Sequence, residues 1–561
     1  MFLPTTKKEM HQRGWSNLDV ILVSGDSYID SPFIGAAVIG KILVEKGFTV
    51  GIIAQPDPDS EQDITRLGEP NLFWGVTAGS LDSMVANYTA LKKFRKNDDY
   101  TPGGKNNRRP DRATIVYTNL IKRYFKNTRP IVLGGIEASL RRIAHYDFWD
   151  NGLRRSILFD AKADYLLYGM ADRSIVDLAR ALKNDQSPNH IRGLCYISSQ
   201  EKYEYLKLPS YQEVKKDDDK FIEMFDLFYK NSDPVNAQGL YQKMDTRYLI
   251  HNPPAHYLSR EEMDQVYEFD YEHQQHPYYR KMGKVRALDT IANSIPAHRG
   301  CYGECNFCAI AVHEGRRVRW RSEQSILQEA RNMRSRPGFK GNIKDLCGPT
   351  ANMYGIECTR KIKAGACKNR RCLYPSACKS LPIDHQKQIE LLKKLREIPG
   401  INKVFVSSGI RFDMVMQDKK YGQEYLKQIA QYHTSGQLKI APEHTAPRVL
   451  RLMGKPPKNH PLYKFRNKFY KYSQQAGKDQ YLTYYFIAAH PGCTESNMGK
   501  LKEIASKKLQ INPRQVQIFT PTPSTWSSVM YYTEKDPVTG RDIFVEKNNH
   551  KKQRQKNMLM Q

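Results

Sequence analysis

Three cysteines, Cys301, Cys305 and Cys308, stand in a CxxxCxxC spacing within His298-Arg299-Gly300-Cys301-Tyr302-Gly303-Glu304-Cys305-Asn306-Phe307-Cys308. Thiolates are soft ligands that select iron–sulfur clusters, zinc or copper(I) over magnesium or calcium. Three are one short of a closed tetrahedral zinc site and one short of the four a cubane cluster ordinarily takes. A cubane held by three would leave one iron open to another ligand. A zinc knuckle would need a fourth protein ligand, for which His298 and His313 are at hand. A second set, Cys358, Cys367, Cys372 and Cys378 with Cys347 upstream, lies in an Arg/Lys-rich stretch. Its spacings match neither a CxxC zinc ribbon nor a ferredoxin run. Four thiolates would nevertheless serve an auxiliary cluster or a structural zinc; reduced, partly buried thiols are the plain alternative. Cys195 and Cys493 are isolated and read as core residues.

The elements that must position the three-cysteine loop alternate as strand and helix. Strands are expected over 294–298, 343–347, 403–407, 437–441, 484–488 and 516–519, with helices over 323–333, 385–396, 425–432, 462–472 and 498–508. Active groups in β/α barrels sit at the carboxyl ends of the strands. That rule places Gly348, Ser408, Glu443, His490 and Pro521 at one mouth, together with the cysteine loop. Glu443 and His444 suit acid/base work or cofactor contacts, and ordinary strand-end polarity equally.

Upstream, strands over 19–25, 49–54, 71–77, 129–135 and 164–169 alternate with helices over 33–46, 81–94 and 174–182. Such alternation implies a doubly wound parallel sheet covered on both faces. Gly, Pro, Asn and charge mark 92–112 as a loop. The domains expected are an α/β domain over 1–199, a polar, tyrosine-rich helical connector over 200–289, a partial barrel over 290–530 with a Cys-rich insertion at 347–380, and a disordered basic tail over 531–561.

The balance of 88 Lys+Arg against 59 Asp+Glu gives a net +29. Such an excess suits RNA or another polyanion as partner, or a solvated basic surface. The N-terminal residues carry no apolar secretory run, and no stretch approaches the ~18–20 apolar residues of a membrane span. A cytoplasmic protein without a membrane partner is expected, and ten cysteines there point to metal or catalysis rather than disulfides.

The CxxxCxxC loop with Phe307 before its last cysteine resembles the signature of the radical S-adenosylmethionine (SAM) enzymes. Tyr100-Thr101-Pro102-Gly103-Gly104, Leu133-Gly134-Gly135-Ile136-Glu137-Ala138-Ser139, Gly348-Pro349-Thr350-Ala351-Asn352-Met353-Tyr354 and Ala441-Pro442-Glu443-His444 resemble the YgiQ-type radical SAM family over nearly the whole chain. The resemblance implies a partial (β/α)6 barrel and a 4Fe-4S cluster on Cys301, Cys305 and Cys308. It implies SAM cleaved to a 5′-deoxyadenosyl radical, with an external electron donor such as flavodoxin or ferredoxin. Phe307 would pack near the adenine, and Gly348-Pro349 would contact SAM through backbone. The substrate is not implied; a methylthiotransferase-like RNA-modifying enzyme and a non-catalytic zinc/RNA-binding protein are the alternatives. The N-terminal layout resembles the cobalamin-binding domain of many radical SAM enzymes, whose Asp-x-His-x-x-Gly motif supplies the histidine beneath cobalt. Here Asp26-Ser27-Tyr28-Ile29-Asp30-Ser31 puts Tyr28 at the histidine position and Ser31 at the glycine position, although Gly134-Gly135 matches the small-residue floor. Cobalamin is therefore not expected.

Overall fold

Two compact units divide the chain, Met1–Ala292 and Asn293–Gln561. The computed structural model describes residues 1–336 and 338–560.

In the first unit, apolar five-residue runs such as Val20–Ser24 and Val50–Ala54 are buried along their whole length, as strands covered on both faces must be. They join a nine-stranded sheet. Its parallel half runs Tyr165–Leu167, Ile131–Gly134, Phe73–Thr77, Val20–Ser24, Val50–Ala54. The helix expected over 81–94 covers only Ser83–Asn87; Tyr88 turns extended at φ −126°, and the Asn87 amide donates to Arg109 O at 3.1 Å. The stretch 200–289 is not a helical connector. Leu206–Leu208, Leu240–Met244 and Arg247–His251 extend the same sheet beyond Leu194–Ser198, and helices accompany them, Asp218–Lys230 the longest.

The second unit carries the barrel. Ser294–Pro296 pairs in parallel with Asp345–Cys347, and Asn342–Ile343 with Lys403–Val404. A bridge from Ile410 to Ile440 leads to Gln437–Glu443, which pairs with Tyr481–Ala488 and then Gln515–Ile518. These are six parallel strand positions in chain order, each where the apolar runs put it. Ile295, Leu346, Val404, Ile440, Phe486 and Val516 meet in one core with the covering helices.

The end of the chain is not a disordered tail. Asn549–Met560 is a helix whose Lys552, Gln555 and Leu559 are buried. Gln555 accepts from Ala489 N at 2.9 Å and donates to Cys493 O at 3.3 Å, while Lys552 donates to the Tyr531 hydroxyl at 2.8 Å. Polar side chains that answer buried backbone groups hold this helix where an apolar stripe would be expected.

Candidate metal centre at the barrel mouth

The cysteine loop leaves a short hairpin, His298–Arg299 against Arg319–Trp320. Gly300 has φ +81°, and a Cβ there would stand 2.2 Å from the Arg317 carbonyl oxygen, so the turn admits only glycine. Gly303 N donates to Cys301 Sγ at 3.3 Å. A Cβ on Gly303 would lie 3.2 Å from Cys301 Sγ and 3.6 Å from Cys305 Sγ. Two sulfurs thus turn toward one glycine cradle, and Cys308 N closes the loop on Cys305 O at 3.0 Å. Burial pushes the Cys301 and Cys308 thiols up, and the neighbouring Cys305 pushes both further. As thiolates these sulfurs would repel one another, and a cationic centre among them would offset that repulsion. A cubane places its thiolates on separate irons, so its ligands need not meet at one ion position. Among the described residues, no three His, Cys, Asp or Glu side chains do so.

Strand ends supply the surroundings. Thr350 Oγ1, just beyond Gly348-Pro349, lies 3.5 Å from Cys301 Sγ. A Cβ on Gly348 would enter the His298 ring, at 2.0 Å from its Cε1, so glycine here lets that ring lie on the backbone. His298 is buried, and burial lowers its pKa to about 4. Arg411 Nη1 reaches to 3.6 Å from Cys305 Sγ, and Asp413 accepts from Arg411 Nε at 2.8 Å and Nη2 at 2.6 Å. Ser408 does not face the loop; it donates to Asp345, whose carboxylate also accepts from Ser407 N at 2.7 Å.

Glu443 sits at φ +67° where the strand register shifts, a left-handed conformation uncommon for a side-chain-bearing residue. Burial raises its carboxyl, and Lys455, 3.6 Å away, offsets part of that. His444 turns away from the loop. Its Nδ1 accepts from Thr445 N and Ala446 N at 2.9 Å, leaving Nε2–H for Cys493 Sγ at 3.5 Å. Phe307 lies edge-on to His490 at 6.3 Å, and His490 is tied to Ser527 Oγ at 2.7 Å. Pro521 is buried. Asp413, His444 and Lys455 also line a cavity of about 240 Å³, walled by Pro375, Phe412 and Leu462.

The Cys-rich insertion has a core of its own. Cys358, Cys372, Leu373 and Leu381 pack with Tyr302 of the cysteine loop and with Met414. Beneath them, Glu304 accepts from Arg316 Nε at 2.7 Å and Lys361 Nζ at 2.8 Å, all three side chains almost wholly out of solvent. Lys361 also donates to Arg316 O at 2.7 Å, and Arg316 Nη2 to Cys367 O at 2.9 Å. One charge of this Arg/Lys-rich stretch, Lys361, thus anchors it to the cysteine loop. Cys195 and Cys493 are core residues. Arg411, Thr350 and Glu304 went unnoticed in the sequence as neighbours of the three cysteines; the opposite charges of Arg411 and Asp413, two residues apart, were the available signal.

In the first unit, the loop after Val20–Ser24 is closed by its own chain. Tyr28 is buried, accepts from Leu3 N at 2.9 Å and stacks on His276 at 5.3 Å. Arg109, fully enclosed, bridges Asp26 at 2.9 Å and Asp98 at 3.0 Å and donates to Ala78 O at 2.7 Å. The loop expected at 92–112 therefore covers the carboxyl ends of two central strands. Ser31 is buried, and a Cβ on Gly135 would meet Thr77 Oγ1 at 2.3 Å.

Residues 2–294 match the family described as Radical SAM N-terminal, and residues 295–504 match the Radical SAM superfamily. The UPF0313 protein FN0734 of Fusobacterium nucleatum subsp. nucleatum is 59% identical over 559 residues, covering 100% of this chain and 98% of the relative. A UPF0313 protein of Thermotoga neapolitana is 50% identical over 98% of this chain and 96% of its own. Among solved structures, the radical SAM methyltransferase TsrM of Kitasatospora setae, with cobalamin and a [4Fe-4S] cluster bound, superposes with a TM-score of 0.53 at 12% identity, over 91% of this chain and 77% of that one. The cobalamin-dependent SAM radical enzyme OxsB, with aqua-cobalamin bound, gives 0.51 at 12% identity, over 94% and 57%. At that identity the likeness concerns the fold. No helix among the described residues is long and apolar enough to cross a membrane.

Proposed function

Because the chain belongs to the UPF0313 (YgiQ) family of radical SAM enzymes, we propose that Cys301, Cys305 and Cys308 hold its 4Fe-4S cluster and that SAM takes the open iron. The observation that carries this is the glycine cradle toward which Cys301 and Cys305 turn, with Thr350 and Arg411 beside the sulfurs. Bound there, the cluster supplies the electron for reductive cleavage of SAM. The chain's own part is to orient and to exclude water. Gly348 and Pro349 keep the turn after the second strand low, and Phe307 offers an apolar edge beside His490. The cavity lined by Asp413, His444 and Lys455 gives a substrate room near the loop. Anaerobic reconstitution should load about four irons per chain and yield 5′-deoxyadenosine from SAM and reductant. Each of Cys301→Ala, Cys305→Ala and Cys308→Ala should lose both. Cleavage that survives in all three variants would sink the assignment.

A second reading, modification of RNA, is favoured by the outer helices. His460–Gln475 carries Lys464, Arg466, Lys468 and Lys471 with no acid, and Asn549–Met560 carries Lys551, Arg554 and Lys556 besides its buried Lys552, again with no acid. Polyanion binding would use such faces.

TsrM and OxsB are described with cobalamin. For this chain the first unit serves better as a fold kept without that ligand. Tyr28 occupies the place of the axial histidine and is committed to the core, and Arg109 fastens the covering loop over the strand ends. Titrating the full chain with hydroxocobalamin should leave the corrinoid spectrum unchanged. A stoichiometric spectral shift would overturn this.

A further inference from the structure

Arg411 is held in place from both ends. Its backbone N donates to Asn352 Oδ1 at 2.8 Å, and Asn352 Nδ2 donates back to Arg411 O at 3.1 Å. Asn352 is itself set by His385 Nε2 at 3.1 Å, and His385 Nδ1 by Asp418 at 2.8 Å. At the other end, Asp413 takes Nε and Nη2 in a two-point grip at 2.8 and 2.6 Å. That grip uses the fork of the guanidinium and leaves Nη1 directed at Cys305 Sγ, 3.6 Å away. The same Nη1 would stand 3.2 Å from a Cβ on Gly303, so the cation lies against the backbone between the first two cysteines. Arg411 is buried. An arginine kept only for a strand-end turn would be satisfied by Asp413 and Asn352; the approach to sulfur is additional.

We propose that Arg411 is a positioning residue that sets the reduction potential of the cluster on Cys301, Cys305 and Cys308 through an N–H···S hydrogen bond to Cys305. This rests on the cluster assignment above. Cluster potentials follow net charge, hydrogen bonds to sulfur and solvent exposure. Reduction adds one electron, supplied by the external donor, and so adds one negative charge beside the guanidinium. Arg411 therefore stabilises the reduced state more than the oxidised one. Asp413 opposes it by neutralising part of that charge. The pair sets a middle value: SAM cleavage needs a low potential, yet the donor must still be able to reduce the cluster.

The test is an EPR-monitored redox titration of the reconstituted full chain, with dithionite as one-electron donor and iron counted in every sample. Arg411→Met should lower the potential, shifting the reduced-to-oxidised ratio about tenfold at fixed potential, which is 59 mV for one electron. Arg411→Lys keeps the charge but loses the fork and should shift it less in the same direction. Asp413→Asn keeps the shape, removes the opposing charge, and should raise it. Opposite shifts for Arg411→Met, or for Arg411→Lys where Met does not load iron, and Asp413→Asn support the proposal. Shifts of the same sign, ratios within twofold of the parent, or loss of SAM affinity at unchanged potential overturn it. Failure of every variant to load iron would make Arg411 a scaffold of the loop and overturn it too. A parent chain that loads no cluster would instead fail the assignment on which this rests.

Discussion

Glu304→Gln removes one negative charge from a buried site and leaves both its cations in place. Glu304 lies between Cys301 and Cys305 in sequence, and its two oxygens are divided between Arg316 and Lys361 at 2.7 and 2.8 Å. The Glu304 and Lys361 side chains have no solvent exposure and Arg316 has 2%. Removing one partner of such a buried pair costs about 3–5 kcal/mol. The cost arises because the new amide accepts from one cation while turning its NH2 toward the other. At about 1.4 kcal/mol per factor of ten, local opening becomes a hundred- to several-thousandfold more frequent. Amide hydrogen exchange reads this directly. Ile362 N, Gly365 N, Cys378 N and Leu381 N all bond within the insertion at 2.7 to 3.1 Å. Their exchange should accelerate by at least a hundredfold, while Leu346 N and Phe405 N between the barrel strands keep their protection. Protection in the insertion unchanged to within about threefold would refute the idea that these charges pin it to the cysteine loop.

Other outcomes follow from the same geometry. Changing Cys367 and Cys378 to Ser should leave about four irons per reconstituted chain, because the insertion is held by its apolar core and the Glu304 ion pairs; a loss of iron would establish a second metal there. His433, wholly buried with Nδ1 on Val404 O at 2.7 Å, has its pKa lowered by burial to about 4. The unfolded chain therefore takes up this proton below about pH 6.5 while the folded chain refuses it until about pH 4, so stability falls as pH falls through that window, by about 3 kcal/mol in all. Exchange at Val406 N, which bonds His433 O at 3.0 Å, should show the advantage of the parent over His433→Gln shrinking across that window; a constant difference from pH 7 to 4 would contradict the linkage. If RNA is bound, log affinity should fall linearly with log salt by about 0.7 per phosphate contacted on single strands. Lys551→Glu with Arg554→Glu should make that slope shallower, and no binding to bulk RNA at low salt would leave the charge as a solvated surface.

The six barrel strands and the cysteine loop were legible because their signals are local. Runs such as Lys403 to Val406 and Tyr484 to Ala488 are apolar enough to declare a buried strand. What escaped depends on partners far away in sequence. The insertion reads as an Arg/Lys-rich stretch, yet Cys358 and Cys372 find Tyr302 of the cysteine loop and Met414 of the helix Phe412–Gln417. Lys361 and Arg316 read like any surface cation until Glu304 is placed between them. Arg411 has no local pattern separating a solvated arginine from one aimed at sulfur. Gln555 and Lys552 hid the last helix for the same reason: hydrogen bonds to Ala489 N and the Tyr531 hydroxyl bury them, and these leave no periodicity behind. In 200–289 the strands Leu240–Met244 and Arg247–His251 carry Lys243 and Arg247 around the turn that joins them, which masks their apolar runs.

That last helix has a consequence for biosynthesis. Domains generally fold as units while the chain emerges from the ribosome. The first unit is complete at Ala292 and can fold while the second is still being made. The barrel is in a different position. The turn after its fifth strand waits for Gln555 to bond Ala489 N and Cys493 O, so it closes only once the final twelve-residue helix has left the exit tunnel. Until then the cysteine loop is carried on an unfinished scaffold. A stop codon just before Asn549 would therefore resemble loss of the barrel more than loss of a dispensable segment.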